Sequence, residues 1–424
     1  MGCSYCAGGK SGAFFPDFSL HRTTMRLKIM KNCPRSPTRL AAGTQVRQAP
    51  RVRLRDWLRL LHTPGLGPRR VARLLEAFGT PAAALQADAR AWAAADTGCR
   101  PCTGAEIALR EAGVEADLDW LDRDTRHSIL TLDDPDYPQL LAQLPDPPPA
   151  LYLVGDAALL HKPQIAVVGS REATPQGRRT AERFATALAA AGLTVTSGLA
   201  RGIDAAAHQG ALSGPGGSTI AVVATGPDRV YPSMHRRLAH RIADQGLMVS
   251  LWPTGTMARS GHFPQRNRVI SGLALGTLVV EAAVRSGSLI TARLAAEQGR
   301  SVYAIPGSIL SPVSRGCHRL IQEGAQLVES PDDILEELAD WLGVERPITA
   351  PGRPPADGAT LDPDQERVLT SMGFDPVAME ELLQRTGLTV EALSSMLVLL
   401  ELNGRVASLS HGRYQRLDAG PPSI

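Results

Sequence analysis

Short apolar segments alternate with helical segments between residues 135 and 335, and no other feature constrains the fold of this chain as strongly. The predicted strands are Ile165–Val168, Val195–Thr196, Thr219–Ala224, Leu247–Leu251, Thr277–Glu281 and Ser301–Ile305. A typical connecting helix is predicted over Arg178–Ala191 and ends at Gly192. Strands joined by helices pair in parallel and need helices on both faces. The alternation therefore predicts an α/β fold, a Rossmann-like doubly wound parallel sheet.

The length of 424 residues exceeds what one core usually supports, so flanking domains are expected. Residues 51–130 predict an N-terminal helical domain, helix-hairpin-helix-like, because Gly65–Gly67 forms a tight turn between two helical patterns. Amides at the start of a helix after such a turn can meet a DNA phosphate, although the same turn also serves simply to join two helices. Both interpretations stay open.

The remaining segments follow from composition and pattern. Residues 1–50 are basic with a single acid and predict a disordered leader. Residues 131–344 are predicted to form the Rossmann-like DNA-binding domain, and residues 345–360 a linker rich in Pro, Gly and Ala. Residues 361–417 predict a C-terminal winged helix, with three helices and a hairpin that turns at His411–Gly412. The third helix has few positive charges, which favours a protein-interaction module.

Composition excludes several classes of protein. Hydrophobic residues make up 43% and charged residues 21%, as in ordinary globular proteins, and no apolar run is long enough for a membrane span. No secretory signal is visible, so we expect a cytoplasmic protein with reduced thiols. The pairs Cys3/Cys6 and Cys99/Cys102 have zinc-ligand spacing but lie far apart, and we expect neither a metal nor a cofactor.

Two loops that follow predicted strands combine glycine, serine and arginine. The first contains Gly169, Ser170 and Arg171, and the second contains Arg201. Glycine lets the backbone approach a phosphate, serine donates a hydrogen bond, and arginine supplies charge. Neither loop matches a dinucleotide fingerprint or a P-loop. We therefore expect both to bind the phosphates of a nucleic acid.

Two side chains near the second loop are assigned structural roles. Asp204 is expected to cap the helix that follows the loop, and this role is favoured over a catalytic one. His208 is expected to be a structural histidine rather than an acid or base.

A third and a fourth loop complete the predicted site. The third contains Arg259, Phe263, Arg266, Asn267 and Arg268, and the fourth contains Ser286, Gly287 and Ser288. An aromatic ring among arginines suits single-stranded DNA, because bases stack on the ring while arginines follow the backbone. The sequence does not decide whether the ring of Phe263 is exposed or buried in the core. Glu281, beside the fourth loop, is expected to fix that loop by accepting its N–H groups, rather than to hold a metal or act as a base.

No catalytic constellation is recognisable: the chain has no H-E-x-x-H or G-x-S-x-G motif and no paired acids at metal spacing. We therefore expect a protein that holds DNA and is not an enzyme. The alternative is a nucleotide-processing hydrolase of the lysine-decarboxylase-like (LOG) type, which needs a Pro-Gly-Gly-x-Gly-Thr loop. The corresponding position here reads Ser286–Ser288, and Gly216–Thr219 precedes a strand where it should follow one.

The ordered series of loops resembles the DNA-processing protein A family (DprA/Smf) from about Asp136 to Ala325. The matching motifs are Asp136–Pro138, Pro147–Tyr152, Val168–Arg171, Ser197–Asp204, Tyr231–Pro232, Phe263–Arg268, Ser286–Thr291, Ile305–Gly307 and Gly316–Ile321. The resemblance implies that the N-terminal helical domain is SAM-like. It also implies a homodimer, formed through the Rossmann-like domain, that binds and protects single-stranded DNA and loads the RecA recombinase during natural transformation. Leu251 departs from the family, which usually has glutamate there, so a loop anchor or a salt-bridge partner is lost.

Overall fold

The structure, a computed structural model, describes residues 51–95, 98–214, 216–342 and 362–417. The predicted leader (1–50) and the predicted linker (345–360) lie outside the described residues. Within the described ranges, no helix is both long and apolar enough to cross a membrane.

The N-terminal region is helical, as predicted. Its helices are α1 (Arg51–Leu61), α2 (Pro68–Phe78), α3 (Pro81–Gln86), α4 (Ala89–Ala94) and α5 (Ala105–Asp122). The turn between α1 and α2 contains Gly65 at φ +80°, a conformation that favours glycine. Leu54 and Leu58 of α1 and Leu118 of α5 are buried in one cluster with Tyr152 of the large sheet. The helical region thus packs directly on the sheet.

The large sheet has nine strands in the order β1-β2-β6-β5-β4-β3-β7-β8-β9. The strands are β1 (His127–Thr131), β2 (Ala150–Gly155), β3 (Gln164–Val168), β4 (Thr194–Ser197), β5 (Thr219–Val223), β6 (Leu247–Ser250), β7 (Gly276–Val279), β8 (Ser301–Ala304) and β9 (Gln326–Leu327). The six strands predicted from the sequence are β3 to β8, and their pairing is parallel. The predicted fold class is therefore confirmed.

Strands β1 and β2 extend the sheet in an antiparallel sense that the alternation pattern does not predict. Strand β1 also crosses the expected domain boundary after residue 130, so we now place that boundary before His127. Because β2 pairs with β6, the helical region packed on β1 and β2 lies next to the segment that follows β6.

The order of the strands creates a switch point between β3 and β7. The chain proceeds from β3 outwards to β6 and then returns to the other side of β3 as β7. In such sheets ligands bind beyond the carboxyl ends of the strands on either side of the switch point. The first loop follows β3 and the fourth follows β7, so both lie at this position.

Helices cover both faces of the sheet. They are α6 (Gln139–Ala142), α7 (Pro175–Ala190), α8 (Ile203–Ala211), α9 (Arg236–Gln245), α10 (His262–Leu273), α11 (Gly287–Glu297), α12 (Arg315–Gln322) and α13 (Pro331–Leu342). Leu153, Val222 and Val269 belong to the buried cluster on one face, and Val167, Phe184 and Leu278 to the cluster on the other. A sheet covered on both faces holds its loops on a rigid base.

The C-terminal region is a winged helix, also as predicted. It comprises α14 (Pro363–Met372), β10 (Val377–Ala378), α15 (Met379–Thr386), α16 (Val390–Leu402), β11 (Val406–Leu409) and β12 (Arg413–Arg416), with sheet order β10-β12-β11. The hairpin turns at His411 and Gly412, whose φ angles are +66° and +63°. Leu409 pairs with Arg413, so the hairpin closes through a three-residue loop that contains both of these left-handed residues.

Candidate nucleic-acid interface

The first loop is held between two neighbouring elements. The amide of Ser170 donates a hydrogen bond to the Glu281 carbonyl (2.7 Å), and the Ser170 carbonyl accepts one from the amide of Ile203 (3.2 Å). A Cβ atom on Gly169 would lie 2.5 Å from the side chain of Ile203, so only glycine fits there. Arg171 is exposed at the tip of the loop. The loop is therefore rigid at its base and offers a cation to solvent.

Glu281, which lies beside the fourth loop, fixes the first loop instead. Its carboxylate accepts hydrogen bonds from the amide (2.9 Å) and the hydroxyl (2.6 Å) of Thr174, and the same hydroxyl accepts the amide of Gly177 to cap α7. Burial raises the pKa of Glu281, while the hydrogen bonds from Thr174 oppose that rise. The expectation that Glu281 fixes the fourth loop was wrong, because the carboxyl ends of β7 and β3 are adjacent and the side chain points across to β3.

The second loop leads into α8, and its acid is not the helix cap. The cap position is Gly202, and Asp204 lies inside the first turn, fully buried. The Asp204 carboxylate accepts the amide of Ala200 (3.3 Å) and lies 3.8 Å from the guanidinium of Arg266. Burial raises the pKa of Asp204, and Arg266 counteracts this. The capping prediction was wrong, because the helix starts directly after Gly202; the role of Asp204 is nevertheless structural.

His208 has the structural role predicted for it. Its Nε2 accepts the amide of Leu199 (3.3 Å), and its Nδ1 lies 2.7 Å from the hydroxyl of Thr219. This hydroxyl donates to the carbonyl of Val195 (2.6 Å), so Nδ1 must be the protonated nitrogen. Burial lowers the pKa of His208 to about 3. The neutral ring thus holds Leu199, next to Arg201, in place.

Arg266 supports the second loop from inside the protein. Its side chain is 6% exposed, and a Cβ atom on Gly198 would lie 1.5 Å from its Nη1. Burial lowers the pKa of Arg266, whereas Asp204 raises it. From the sequence we expected this arginine to follow a DNA backbone. The structure directs it inward, where its charge is offset by Asp204.

Arg268 also turns away from the loop tips. It forms an ion pair with the carboxylate of Asp146 and a hydrogen bond with the main-chain carbonyl of the same residue. Burial lowers its pKa. Asn267, between the two arginines, is half-buried. The FPQRNR segment of α10 therefore contributes its aromatic ring more directly than its charges.

Phe263 lies at the start of α10, half-buried, next to an exposed tyrosine. The ring centroids of Phe263 and Tyr231 are 5.9 Å apart, and Cζ of Arg171 lies 5.3 Å from the Phe263 centroid. Tyr231 is 52% exposed. The question left open by the sequence is thereby answered: the ring is not in the core but forms a partly exposed aromatic corner. Tyr231 was missed as a site residue, although the Tyr-Pro motif was a signal for it.

The fourth loop is the N-terminus of α11. The hydroxyl of Ser286 accepts the amide of Ser288 (3.3 Å) and lies 2.6 Å from the Ser288 hydroxyl. Gly287 is exposed with open space around it, while Ser288 is buried. Arg285, just before the loop, is exposed and was not singled out from the sequence. The start of a helix next to an exposed arginine favours an anion.

Four arginines at this edge of the sheet are exposed to solvent, together with one exposed acid, Glu172. Arg171, Arg201, Arg259 and Arg285 are all exposed, and none forms an ion pair with an acid of the described residues. Exposed arginines together with an aromatic corner are the features that a single strand of nucleic acid needs. We call these four residues the arginine rim.

Metal-ligand geometry is not found in the part of the chain that the structure describes, where no group of three or more His, Cys, Asp or Glu side chains could hold an ion. Cys102 is buried and its thiol contacts the hydroxyl of Thr63, while Cys99 accepts a hydrogen bond from Arg70. Cys3 and Cys6 lie outside the described residues.

Comparisons with known proteins agree with this geometry. The family model described as DNA recombination-mediator protein A matches residues 128–339, half of the chain. The models for the DprA-like N-terminal HHH domain and the DprA winged helix domain match residues 52–112 and 352–412.

Individual relatives cover large parts of the chain. Protein Smf of Escherichia coli is 41% identical over 322 residues, which are 73% of this chain and 83% of that protein. The DNA processing protein DprA of Streptococcus pneumoniae is 49% identical over 202 residues, which are 48% of this chain and 71% of that protein. An X-ray structure of DprA from Streptococcus pneumoniae superposes with a TM-score of 0.58 at 37% identity and covers 68% of this chain and 98% of that chain. Because family models match the sheet region and both flanking regions, and a relative is 41% identical over most of its length, the chain belongs to the DNA-processing protein A (DprA/Smf) family.

Proposed function

We propose that this protein holds single-stranded DNA across the four loops at the carboxyl edge of the sheet, protects incoming DNA, and loads the RecA recombinase onto it during natural transformation. The observation that carries the proposal is the arginine rim around the aromatic corner of Phe263 and Tyr231. Membership of a recombination-mediator family supports the same role.

Single strands fit this surface better than duplex DNA. A base stacked on an aromatic side chain contributes roughly 1–3 kcal/mol and needs an unpaired, accessible face. Phe263 and Tyr231 offer such faces, and Arg171 lies beside the Phe263 ring. The arginines neutralise phosphates regardless of base sequence. We therefore expect sequence-tolerant binding of single strands.

Binding without chemistry is the form of the proposal that the side chains support. Asp204, His208 and Glu281 lie beneath the loops, and each is engaged in holding loop backbone. The alternative, a hydrolase of the LOG type, predicts steady release of free base from a nucleoside monophosphate by the purified protein. We expect no release above that of a sample heated to inactivate it.

Two partners belong to the proposal. The first is a second copy of the chain, joined through the Rossmann-like domain, and sedimentation equilibrium should then give twice the mass of one chain. The second is RecA. Adding the protein to oligonucleotides coated with single-strand binding protein should shorten the lag before RecA filaments assemble.

Salt-dependent titration tests the DNA site. Arg171→Ala and Arg201→Ala should each weaken binding of an unstructured oligonucleotide and reduce the salt slope by about one ion, because each loses one phosphate contact. Arg90→Ala, which removes an exposed arginine from α4, serves as the control and should change neither quantity. Equal affinity for duplex and single strand, or wild-type binding by both site variants, would show that the groove is misplaced.

The aromatic corner is tested in the same assay. Phe263→Ala should lose roughly 1–3 kcal/mol of binding free energy for every base sequence, while Phe263→Tyr should retain the affinity because a ring remains. An alanine variant that binds as tightly as the tyrosine variant would exclude stacking at this position.

A further inference from the structure

A buried carboxylate of the helical region reaches the segment that leads into the third loop. Asp117 on α5 is fully buried. Its Oδ1 accepts hydrogen bonds from both the amide (2.9 Å) and the hydroxyl (2.7 Å) of Thr254, 137 residues further along the chain. Thr254 lies in the segment 252–261, between β6 and α10, which includes Arg259 of the arginine rim.

The other oxygen of Asp117 is held just as firmly. Oδ2 accepts a hydrogen bond from the hydroxyl of Tyr152 on β2 (2.7 Å) and lies 2.8 Å from Nε2 of His62, which follows α1. Burial, together with the charge of Asp117, raises the pKa of Tyr152 well above its ordinary value, so the phenol remains a donor. The carboxylate is therefore fixed by two elements, and Thr254 depends on it for position.

Segment 252–261 contains neither helix nor strand, so individual hydrogen bonds and side-chain contacts hold it in place. One is a backbone bond, from the amide of Gly226 to the carbonyl of Thr256 (2.9 Å). Besides the bonds to Asp117, the amide of Gly255 donates to Asp228 (2.8 Å), and the ring of Trp252 stacks on His262 at 4.3 Å. Leu251, at the position where the family usually has glutamate, is partly buried against the main core and offers no acceptor. Asp117 thus supplies from the helical region an acidic anchor for this segment.

We infer that Asp117 is a positioning residue for DNA binding, which fixes segment 252–261 from the helical region and so presents Arg259 to the DNA backbone. The inference rests on the proposed function, because it gives a role within the same site. A loop already ordered before the ligand arrives binds more tightly, since less conformational freedom is lost on binding. The helical region in this way contributes to the DNA site through a residue that does not itself contact DNA.

The closing experiment compares two threonines of one segment. Thr254→Val removes the hydroxyl that Asp117 accepts, whereas Thr256→Val removes a hydroxyl that forms no hydrogen bond with any described residue. The dissociation constant for an unstructured oligothymidine should rise about three- to tenfold for Thr254→Val and by less than about twofold for Thr256→Val. Asp117→Asn, which also weakens the hold of Tyr152 and His62, should lose at least as much as Thr254→Val. Thermal unfolding of each variant checks that it is folded.

A double-mutant cycle separates positioning from general damage. In an Arg259→Ala background, Thr254→Val should change the affinity by less than about twofold, because the arginine that it positions is gone. An undiminished effect in that background, or an Arg259→Ala protein that binds like wild type, would overturn the inference. If Arg171→Ala and Arg201→Ala weaken binding but Thr254→Val does not, only the role of Asp117 fails. If none of these variants weakens binding, the proposed function itself fails.

Discussion

Several polar residues beneath the loops are buried, and their charge states follow from their partners. His208 is neutral because its Nε2 must accept the amide of Leu199 and because burial disfavours the imidazolium. Asp204 and Arg266 share the same interior and offset one another. At this scale the structure uses titratable groups as loop supports.

The pKa of His208 makes a prediction about stability. Its value of about 3 in the folded protein lies below the ordinary value of about 6.5, so the unfolded chain binds the proton more tightly between these two pH values. Stability from this group is complete above pH 6.5 and is lost as the pH falls. The loss between pH 8 and pH 5 should be about 2 kcal/mol.

Comparison with His208→Gln isolates this contribution, because the raised pKa values of Asp204 and Glu281 act in the opposite direction. Urea unfolding at pH 8 and pH 5 should show a smaller pH-dependent loss for the variant than for the wild type. Equal losses in the two proteins would mean that His208 is protonated in the fold.

Side-chain orientation at this scale was only partly predictable. On α10, Arg266 precedes the buried residues Val269, Ile270 and Leu273 by about one or two helical turns. The helical period therefore already indicated that Arg266 lies on the core side of the helix. The partner that makes burial of its charge tolerable, Asp204, comes from a distant helix, and periodicity does not reveal such a partner. Tyr231 and Phe263 likewise meet only because α10 returns to the end of the sheet.

At the scale of elements, the first loop and helix α7 are coupled through one threonine. Thr174 caps α7 through its hydroxyl and also donates to Glu281 at the end of β7. The same hydroxyl therefore caps α7 and connects the first loop to the end of β7 across the switch point. Thr80 caps α3 in the helical region in the same way, by accepting the amide of Ala83 (3.2 Å), but has no such link.

Removal of these two caps should have different functional consequences. Thr174→Val and Thr80→Val should each lower the free energy of unfolding by about 1–2 kcal/mol, because each loses a helix cap. Only Thr174→Val should also weaken single-strand binding, since it frees the loop that carries Arg171. Urea unfolding and oligonucleotide titration measure the two effects. A Thr80→Val protein with equally weakened DNA binding would contradict the coupling.

For the molecule as a whole, the winged helix differs in surface charge from the edge of the sheet that carries the four loops. Helix α16 contains no lysine or arginine, and Val398, Leu399 and Leu402 are exposed on it. The preference for a protein-interaction module, drawn from the sequence, stays a prediction, and this surface agrees with it. DNA contact by the helix-hairpin-helix turn also stays a prediction.

Deletion of residues 345–424 tests whether the winged helix binds DNA or a protein partner. The truncated chain should bind single strands within about twofold of the full chain, because the four loops that supply the phosphate contacts lie within residues 169–288. RecA filament assembly on the same oligonucleotide measures the second activity. Retained affinity with lost assembly would assign the winged helix to partner binding, and a large loss of affinity would assign it to DNA.

The sequence alone determined the parallel strands β3 to β8, the turn at His411–Gly412 and the four loops, because these depend on local periodicity and on residues with restricted backbone geometry. Tertiary structure decided what depends on distant contacts. The antiparallel pairing of β1 with β2, the inward course of Arg266, and the bond from Asp117 to Thr254 each join segments far apart in the chain. Such polar contacts matter because they are buried: a charge inside a protein is costly unless hydrogen-bond or ion-pair partners satisfy it, and here those partners come from other elements.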